Sequence, residues 1–171
     1  MKALFVIGYI ASGKSTYVNS IKKEDDLIIE LGQVVREITH EEKRVFDNGL
    51  DDAIYDYCRD LIGESVDQIS RVIFVAPRSV ELMDKLTKMI DDYDIVYLFT
   101  PYRIRKMRFD ESKRAKDEGI TYMEALRKDA SIGMEKLVTG LCHSLWGPYT
   151  SVANYTEQEY KRANKLLWGI K

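Results

Sequence analysis

The sequence predicts an α/β fold with a mainly parallel β-sheet, and two observations support that class. Short apolar, β-branched runs alternate along the chain with longer amphipathic stretches, which is typical of strands joined by helices. The runs are continuously apolar, as expected for strands of a sheet that helices cover on both faces. The predicted strands cover residues 3–7, 27–29, 72–75 and 95–99.

The stretches between these strands have the spacing of helices. A helix is predicted at residues 15–22, directly after the first strand. Two longer stretches carry apolar residues at intervals of three or four, from Leu50 to Ile69 and from Val80 to Ile90. Thr121 with Glu124 and Thr156 with Glu159 have the spacing of capping boxes, which start helices. A fifth, weaker strand is expected near residues 150–153, before the last helix.

Length and composition indicate one globular domain covering residues 1–171. The formal net charge is −2 and 45% of the residues are hydrophobic, enough for a core without disulfides or a structural metal. No apolar run is long enough to span a membrane, and Cys58 and Cys142 lie far apart, as expected of buried free thiols in a reducing compartment. These features predict a cytoplasmic protein with no membrane partner; they leave its oligomeric state open.

One motif carries specific chemistry. Residues 8–15, GYIASGKS, match the phosphate-binding pattern G-x-x-x-x-G-K-[ST] at every fixed position, between a predicted strand and a predicted helix. Lys14 is expected to bridge the β- and γ-phosphates, and the Ser15 hydroxyl to ligate Mg²⁺. The sequence therefore predicts binding of ATP and Mg²⁺ by Gly8, Tyr9, Ile10, Ala11, Ser12, Gly13, Lys14, Ser15 and Thr16.

Binding of a nucleoside triphosphate does not by itself indicate which reaction the protein catalyses. A nucleotide switch or motor usually has an acidic residue on a strand after this loop, and the third predicted strand ends in Val75, Ala76 and Pro77. No Asn-Lys-x-Asp motif for guanine is present either. A compact kinase is favoured over a nucleotide-binding switch, which stays as the alternative from another class.

From this motif outward, the chain resembles the adenylate, thymidylate and dephospho-CoA kinase branch of the P-loop kinases. Residues 29–37 resemble the second-strand segment of that branch, in which an arginine holds the acceptor, and Arg36 would take this role. Residues 75–79 resemble its third-strand segment, which makes Arg78 a second acceptor-binding residue. The resemblance implies a three-layer sandwich with a five-stranded sheet and a short arginine-rich lid.

The lid implied by this resemblance is a helical region at residues 101–131. Within it, residues 102–114 contain several arginines that could close over the triphosphate, and guanidinium groups suit the charge on the transferring phosphoryl group. The resemblance implies a catalytic role for Arg105 and nucleotide binding by Arg108. The further candidates are Arg103 and Arg114.

The chain departs from this branch in ways that bear on the acceptor. Gln33 stands where an Asp is usual, and Val75 and Ala76 replace a usual Asp-Gly. Glu30, in contrast, is a carboxylate at the end of the second predicted strand. A phosphate acceptor needs no base, whereas a hydroxyl acceptor gains from a carboxylate that takes its proton. Glu30 is therefore predicted to activate a hydroxyl acceptor, its alternative role being to pair with Arg36 or Arg78.

Several hydroxyl acceptors fit these residues. The stretch 103–116 holds seven basic residues with interleaved aromatics, which would suit either a DNA groove or a lid that grips only ATP. Small kinases of this arrangement resemble the phage enzymes that phosphorylate 5-hydroxymethyluracil in DNA, in the host cytoplasm. A flipped base could then stack on Trp146, Tyr149 or Tyr155, unless these pack against the last helix. A nucleoside monophosphate kinase and a dephospho-CoA-like kinase are the alternatives.

Overall fold

A computed structural model describes residues 1–41, 49–112 and 119–168. The predicted lid residues Lys113, Arg114 and Lys116 lie outside these ranges. In the described part the strands are β1 (Lys2–Ile7), β2 (Asp26–Glu30), β3 (Arg71–Val75), β4 (Tyr93–Phe99) and β5 (Thr150–Ala153). The helices are α1 (Lys14–Ile21), α2 (Leu31–Thr39), α3 (Asp51–Ser65), α4 (Val80–Met89), α5 (Tyr102–Glu111), α6 (Tyr122–Ile132), α7 (Met134–Cys142) and α8 (Glu157–Trp168).

The five strands form one sheet in the order β2-β3-β1-β4-β5, and every pairing is parallel. The predicted α/β class and the five-stranded parallel sheet are confirmed. Because all strands run the same way, their carboxyl ends share one edge of the sheet. The central strand β1 has β3 and β4 as neighbours, so the loop after β1 lies in the middle of that edge.

Alternate residues of the central strands face two different cores, which makes three layers. Phe5 and Ile7 belong to a large cluster that includes residues of α3, α4 and α7, and Phe5 stacks on Phe74 with ring centroids 5.0 Å apart. Leu4 and Val6 face a smaller cluster on the side of α1. Both faces are apolar because both are covered, which explains why the strands have no alternating polar residues.

Helices α5 and α6 occupy the region predicted as a lid. Thr121 and Glu124 form the predicted capping box at the start of α6, with Glu124 N donating to Thr121 Oγ1. Ile104 and Met107 of α5 pack against Ala163 of α8. The arginine-bearing helix is therefore attached to the last helix.

Two details differ from expectation, and a third decides between the two roles considered for Trp146. Helix α3 ends at Ser65, so Ile69 lies outside it, in the turn before β3. Cys142 is exposed at the end of α7, whereas Cys58 is buried as predicted, and burial raises the pKa of its thiol to about 12. Trp146 is buried and donates to Asp84, which fits the packing role of this side chain better than base stacking.

No helix in the described ranges is both long and apolar enough to cross a membrane.

Candidate functional site

The phosphate-binding motif forms a tight loop between β1 and α1. A Cβ atom at Gly8 would lie 2.6 Å from Ser12 Oγ, and one at Gly13 would lie 2.6 Å from Asn154 Nδ2. Gly13 also has a φ of 86°, in the left-handed region that favours glycine. Both glycines of the motif are therefore required by close approach of other atoms. Helix α1 begins at Lys14, so its first amides and the positive end of its dipole lie at the loop.

Lys14 spans the inside of the loop. Its Nζ donates to the carbonyl oxygens of Gly8 at 2.7 Å and Tyr9 at 3.0 Å. These contacts hold the ammonium group against the loop, next to the place where phosphate oxygens would accept its hydrogen bonds. The predicted position of Lys14 in a phosphate cradle is consistent with this geometry.

A cavity of about 260 Å³ adjoins the loop and brings the predicted residues together. It is lined by the loop and the start of α1, by the end of β2 and the start of α2, and by the residues that follow β3. The lining side chains with charge or hydroxyl groups are Lys14, Ser15, Thr16, Glu30, Arg36 and Arg78. Two arginines, a lysine and a carboxylate, which follow or end three strands of one parallel sheet, therefore line the same cavity.

Glu30 is the last residue of β2 and the residue before α2. Its side chain makes no capping hydrogen bond to that helix, and it is exposed at the cavity. Arg36 lies one and a half turns further along α2, where its Nη2 donates to Gln33 Oε1 at 2.5 Å. Gln33, which stands in place of the usual acidic residue, therefore orients Arg36.

Arg78 follows β3 and is held by a buried carboxylate that sequence reasoning missed. Its Nη1 lies 3.3 Å from Oδ1 of Asp129, a residue of α6 that is only 2% exposed. The preceding Ala76 has a φ of 66°, a strained conformation for a residue with a Cβ atom. The family resemblance places a glycine here, and the left-handed backbone explains why glycine would suit this position.

The opposite side of the phosphate loop is held by residues after β4 and β5. The carbonyl oxygen of Ser12 accepts hydrogen bonds from Asn154 Nδ2 at 2.7 Å, Thr100 Oγ1 at 3.1 Å and Arg108 Nη1 at 3.3 Å. A carbonyl with three donors is fixed in orientation, and its loop with it. Asn154 and Thr100 were not among the predicted site residues, because nothing in their local sequence distinguishes them.

Arg108 makes a bidentate ion pair across helices α5 and α8. Its Nε donates to Glu159 Oε1 at 2.9 Å and its Nη2 to Glu159 Oε2 at 3.0 Å. Arg108 holds the pKa of Glu159 below its usual value, chiefly through these hydrogen bonds. Glu159 also completes the second predicted capping box, since Thr156 N donates to its carboxylate. The capping pattern identified this residue, but its pairing with Arg108 depends on the tertiary fold.

Arg105 lies on the ring of Tyr9. Its guanidinium carbon is 4.6 Å from the ring centroid, and its Nε donates to the carbonyl of Thr100 at 3.0 Å. In the described part of the chain, neither Arg105 nor Arg108 lines the cavity. Both arginines contact the phosphate loop from outside, and their direct contact with a triphosphate stays a prediction.

Two other basic residues of α5 have partners within the chain. Lys106 pairs with Asp110 at 2.5 Å, and Arg103 donates to Asn164 at 2.8 Å. Among the three aromatic candidates for base stacking, Tyr149 packs edge-on against Tyr97 and Tyr155 packs with Tyr160. These contacts favour a structural role for α5 and for the three aromatics over a DNA-binding groove.

The residues present fit a nucleoside triphosphate with its Mg²⁺. The loop leaves no room for a Cβ atom at Gly8 or Gly13, so its backbone is tightly wound. Its other side is open to the cavity, where phosphate oxygens could bind. No group of three His, Cys, Asp or Glu residues within 1–41, 49–112 and 119–168 could bind a metal ion. A Mg²⁺ ion bound to the phosphates would have the Ser15 hydroxyl as a ligand from the protein.

Two solved structures share this fold. A chain of the Pnkp1/Rnl/Hen1 RNA repair complex matches with a TM-score of 0.60 and 13% identity, covering 90% of this chain and 48% of that one. A sugar kinase from Janibacter sp. HTCC2649 matches with a TM-score of 0.56 and 14% identity, covering 98% of this chain and 94% of that one. The present chain thus spans about half the length of the first. No protein-family model and no curated protein sequence matches.

These likenesses concern the fold, since the identities are 13% and 14%. The predicted kinase-type three-layer α/β fold is therefore confirmed, whereas the lid role of residues 101–131 stays a prediction.

Proposed function

We propose that the chain is an ATP- and Mg²⁺-dependent kinase that transfers the γ-phosphate to a hydroxyl group. The observation that carries the proposal is the shared cavity, in which Glu30 lies with Lys14, Ser15, Arg36 and Arg78. A nucleotide switch has no acceptor to position, so it has no need of two arginines beside its phosphate loop. A kinase needs the arginines for the acceptor and, when the acceptor is an alcohol, the carboxylate for its proton.

In this mechanism the acceptor oxygen attacks the γ-phosphorus. The bond from that phosphorus to the β,γ-bridging oxygen breaks, the new oxygen–phosphorus bond forms, and the hydroxyl proton passes to the Glu30 carboxylate. ADP leaves with the electrons of the broken bond. Lys14 neutralises charge that develops on the β- and γ-phosphate oxygens, an interaction stronger in the transition state than in the ground state. Mg²⁺ supplies further charge neutralisation on the same oxygens when it is bound.

Arg36 and Arg78 position the acceptor in this proposal. Arg36 is oriented by Gln33, and Arg78 by the buried Asp129, so both guanidinium groups are held before an acceptor arrives. Preorganised donors of this kind lose little conformational entropy on binding. Arg108 and Arg105 act as positioning residues for the phosphate loop, one through the Ser12 carbonyl and the other through the Tyr9 ring.

The acceptor we propose is a nucleotide or a nucleic acid, and the hydroxymethyl group of 5-hydroxymethyluracil in DNA is the one to test first. Glu30 supports a hydroxyl acceptor in general. The internal partners of Lys106, Arg103 and Arg108 give less support to a long DNA track along α5. A small-molecule acceptor, either a nucleoside monophosphate or dephospho-CoA, is the alternative.

A labelling experiment separates these acceptors. The protein is incubated with γ-labelled ATP, Mg²⁺ and a pool of nucleoside monophosphates, dephospho-CoA, and duplex DNA with and without 5-hydroxymethyluracil. Label in an acid-stable phosphate ester supports a hydroxyl acceptor, and label that stays internal to modified DNA after nuclease digestion identifies the base. Label in an acid-labile diphosphate would show a phosphate acceptor. Rapid ATP hydrolysis that no acceptor changes would favour a nucleotide switch.

A further inference from the structure

A second cavity adjoins the phosphate cavity at Gly32, Ala76 and Arg78, which line both. It is narrow and has mostly apolar walls, formed by Leu31, Val35, Ile54, Leu82 and Ile132. Its polar lining side chains are Arg78, Asp51 and Ser79. The cavity has a volume of about 40 Å³, so an acceptor with its hydroxyl near Glu30 would have beside it an apolar slot that takes an edge of the molecule.

Asp51 is fixed in the wall of this second cavity. Its Oδ2 accepts a hydrogen bond of 2.6 Å from Ser79 Oγ, and Ser79 Oγ in turn accepts from Leu82 N at 3.0 Å at the start of α4. Among the described residues, the other carboxylate oxygen of Asp51 has no hydrogen bond. Burial raises the pKa of Asp51, as expected for a carboxyl group removed from water.

We propose that Asp51 selects the acceptor by accepting a hydrogen bond from an N–H group on a ring whose edge enters this slot. The inference rests on the proposed function, because it assumes that the acceptor is a nucleotide or nucleic acid whose base is the ring. Apolar walls suit the edge of a base, and a half-buried carboxylate disfavours a ring that offers no donor to it. A base with a ring or exocyclic N–H would be accepted, and its N-methylated form rejected.

The structural alternative is that Asp51 only ties α3 to α4 through Ser79. Two variants separate the roles. S79A removes the tie and leaves the carboxylate, whereas D51N changes the carboxylate and retains its size. D52N is the matched control, because Asp52 is the next residue of the same helical turn, lies on the surface, and pairs with Lys85.

The test measures equilibrium binding of two nucleoside pairs, thymidine with N3-methylthymidine and adenosine with N6,N6-dimethyladenosine, by calorimetry. For the wild-type protein we expect one unmethylated nucleoside to bind on the order of tenfold more tightly than its methylated partner, the usual effect of a hydrogen bond to a charged group. S79A and D52N should keep this preference, and D51N should lose most of it. Thermal unfolding of each variant confirms that it is folded at the temperature of the titration.

The inference is overturned if D51N keeps the preference of the wild type, or if the wild type binds neither pair selectively. Loss of the preference in S79A as well as D51N would assign Asp51 to the helix tie. Selective, Asp51-dependent binding without any phosphate transfer would leave the inference standing and overturn the proposed function. Phosphate transfer to the hydroxyl group of a base-bearing acceptor, at a rate that D51N does not change, would overturn the inference and leave the proposed function standing.

Discussion

The two edges of the parallel sheet carry charge for different purposes. At the amino edge, Arg71 of β3 pairs with Asp26 of β2 at 2.5 Å and 3.0 Å, and the Asp26 side chain is fully buried. Lys2 and Asp94 pair nearby at 3.0 Å on the surface. At the carboxyl edge, Lys14, Glu30, Arg36 and Arg78 instead line a cavity. At the amino edge the charges pair with one another and hold strands in place, whereas at the carboxyl edge charged side chains line a cavity that a ligand can enter.

The largest expected effect is that of Lys14→Ala on phosphate transfer. We expect a loss of about 10³-fold or more, because the ammonium group stabilises charge that develops on the phosphates. Lys2→Ala, at the other edge of the same central strand, is the control and should leave transfer unchanged. Steady-state transfer from labelled ATP measures both. A Lys14→Ala protein with full activity would refute the assignment of the phosphate loop.

Asp26→Asn should act on stability instead of activity. Removing one partner of this pair leaves the Arg71 guanidinium without its counter-charge, and we expect the free energy of unfolding to fall by about 2 kcal/mol, below the 3–5 kcal/mol of fully buried pairs because Arg71 is partly exposed. Urea unfolding measures this change. Transfer activity at a temperature well below the melting point should be that of the wild type, and an equal loss of activity would contradict the division between the two edges.

The same pair predicts a pH dependence. Hydrogen bonds from Arg71 hold the pKa of Asp26 below its ordinary value of 3.8 in the folded protein. The stabilisation is therefore complete above pH 3.8 and is lost as the pH falls through the lower, folded pKa. The difference in unfolding free energy between wild type and Asp26→Asn should shrink below pH 3.8, and a difference that grows there would contradict the assignment.

Glu159→Gln is expected to raise the KM for ATP moderately. Without the carboxylate, Arg108 loses a bidentate partner and holds the Ser12 carbonyl less firmly. We expect the KM for ATP to rise by about threefold to tenfold with a smaller change in kcat, since the phosphate loop is misplaced but complete. Glu157→Gln, two residues earlier in the same helix and paired with Lys161 on the surface, is the control. Equal KM values for the two variants would count against the positioning role of Arg108.

The smallest expected effect is a gain in stability from Ala76→Gly. Glycine adopts a φ of 66° without the strain of a Cβ atom, although it loses more entropy on folding. A net gain of about 0.5 kcal/mol in the free energy of unfolding is expected, which thermal unfolding can detect. A loss of stability would mean that the Ala76 methyl group contributes packing to the two cavities that outweighs the strain.

Much of this arrangement could be predicted from local sequence. Continuous apolar runs predicted four strands to within about two residues, and a weaker fifth strand was expected where β5 lies. The spacing of Gly8, Gly13 and Lys14 located the phosphate loop. Glu30 was correctly placed at a strand end, because it directly follows an apolar run. Its place beside the phosphate loop follows from the shared carboxyl edge of parallel strands. These features depend on residues close together in sequence.

The supporting contacts could not be predicted in this way. Asp129, Asn154 and the pairing of Arg108 with Glu159 join elements far apart in the chain. Their local patterns are those of ordinary helices and loops. Arg105 lies over the ring of Tyr9, a contact that its local sequence does not indicate, and its predicted contact with the triphosphate stays a prediction. Asp51 likewise becomes a cavity residue only when α3 packs beside α4.

The most direct test of the central claim measures label transfer by the wild type and by Glu30→Gln in the same acceptor pool. Asp94→Asn, a carboxylate of the amino edge, serves as the control. We predict that the wild type forms an acid-stable phosphate ester and that Glu30→Gln forms it about 10²-fold more slowly, with unchanged ATP binding. Label in an acid-labile diphosphate, formed at the same rate by both proteins, would contradict the claim that this site phosphorylates a hydroxyl group.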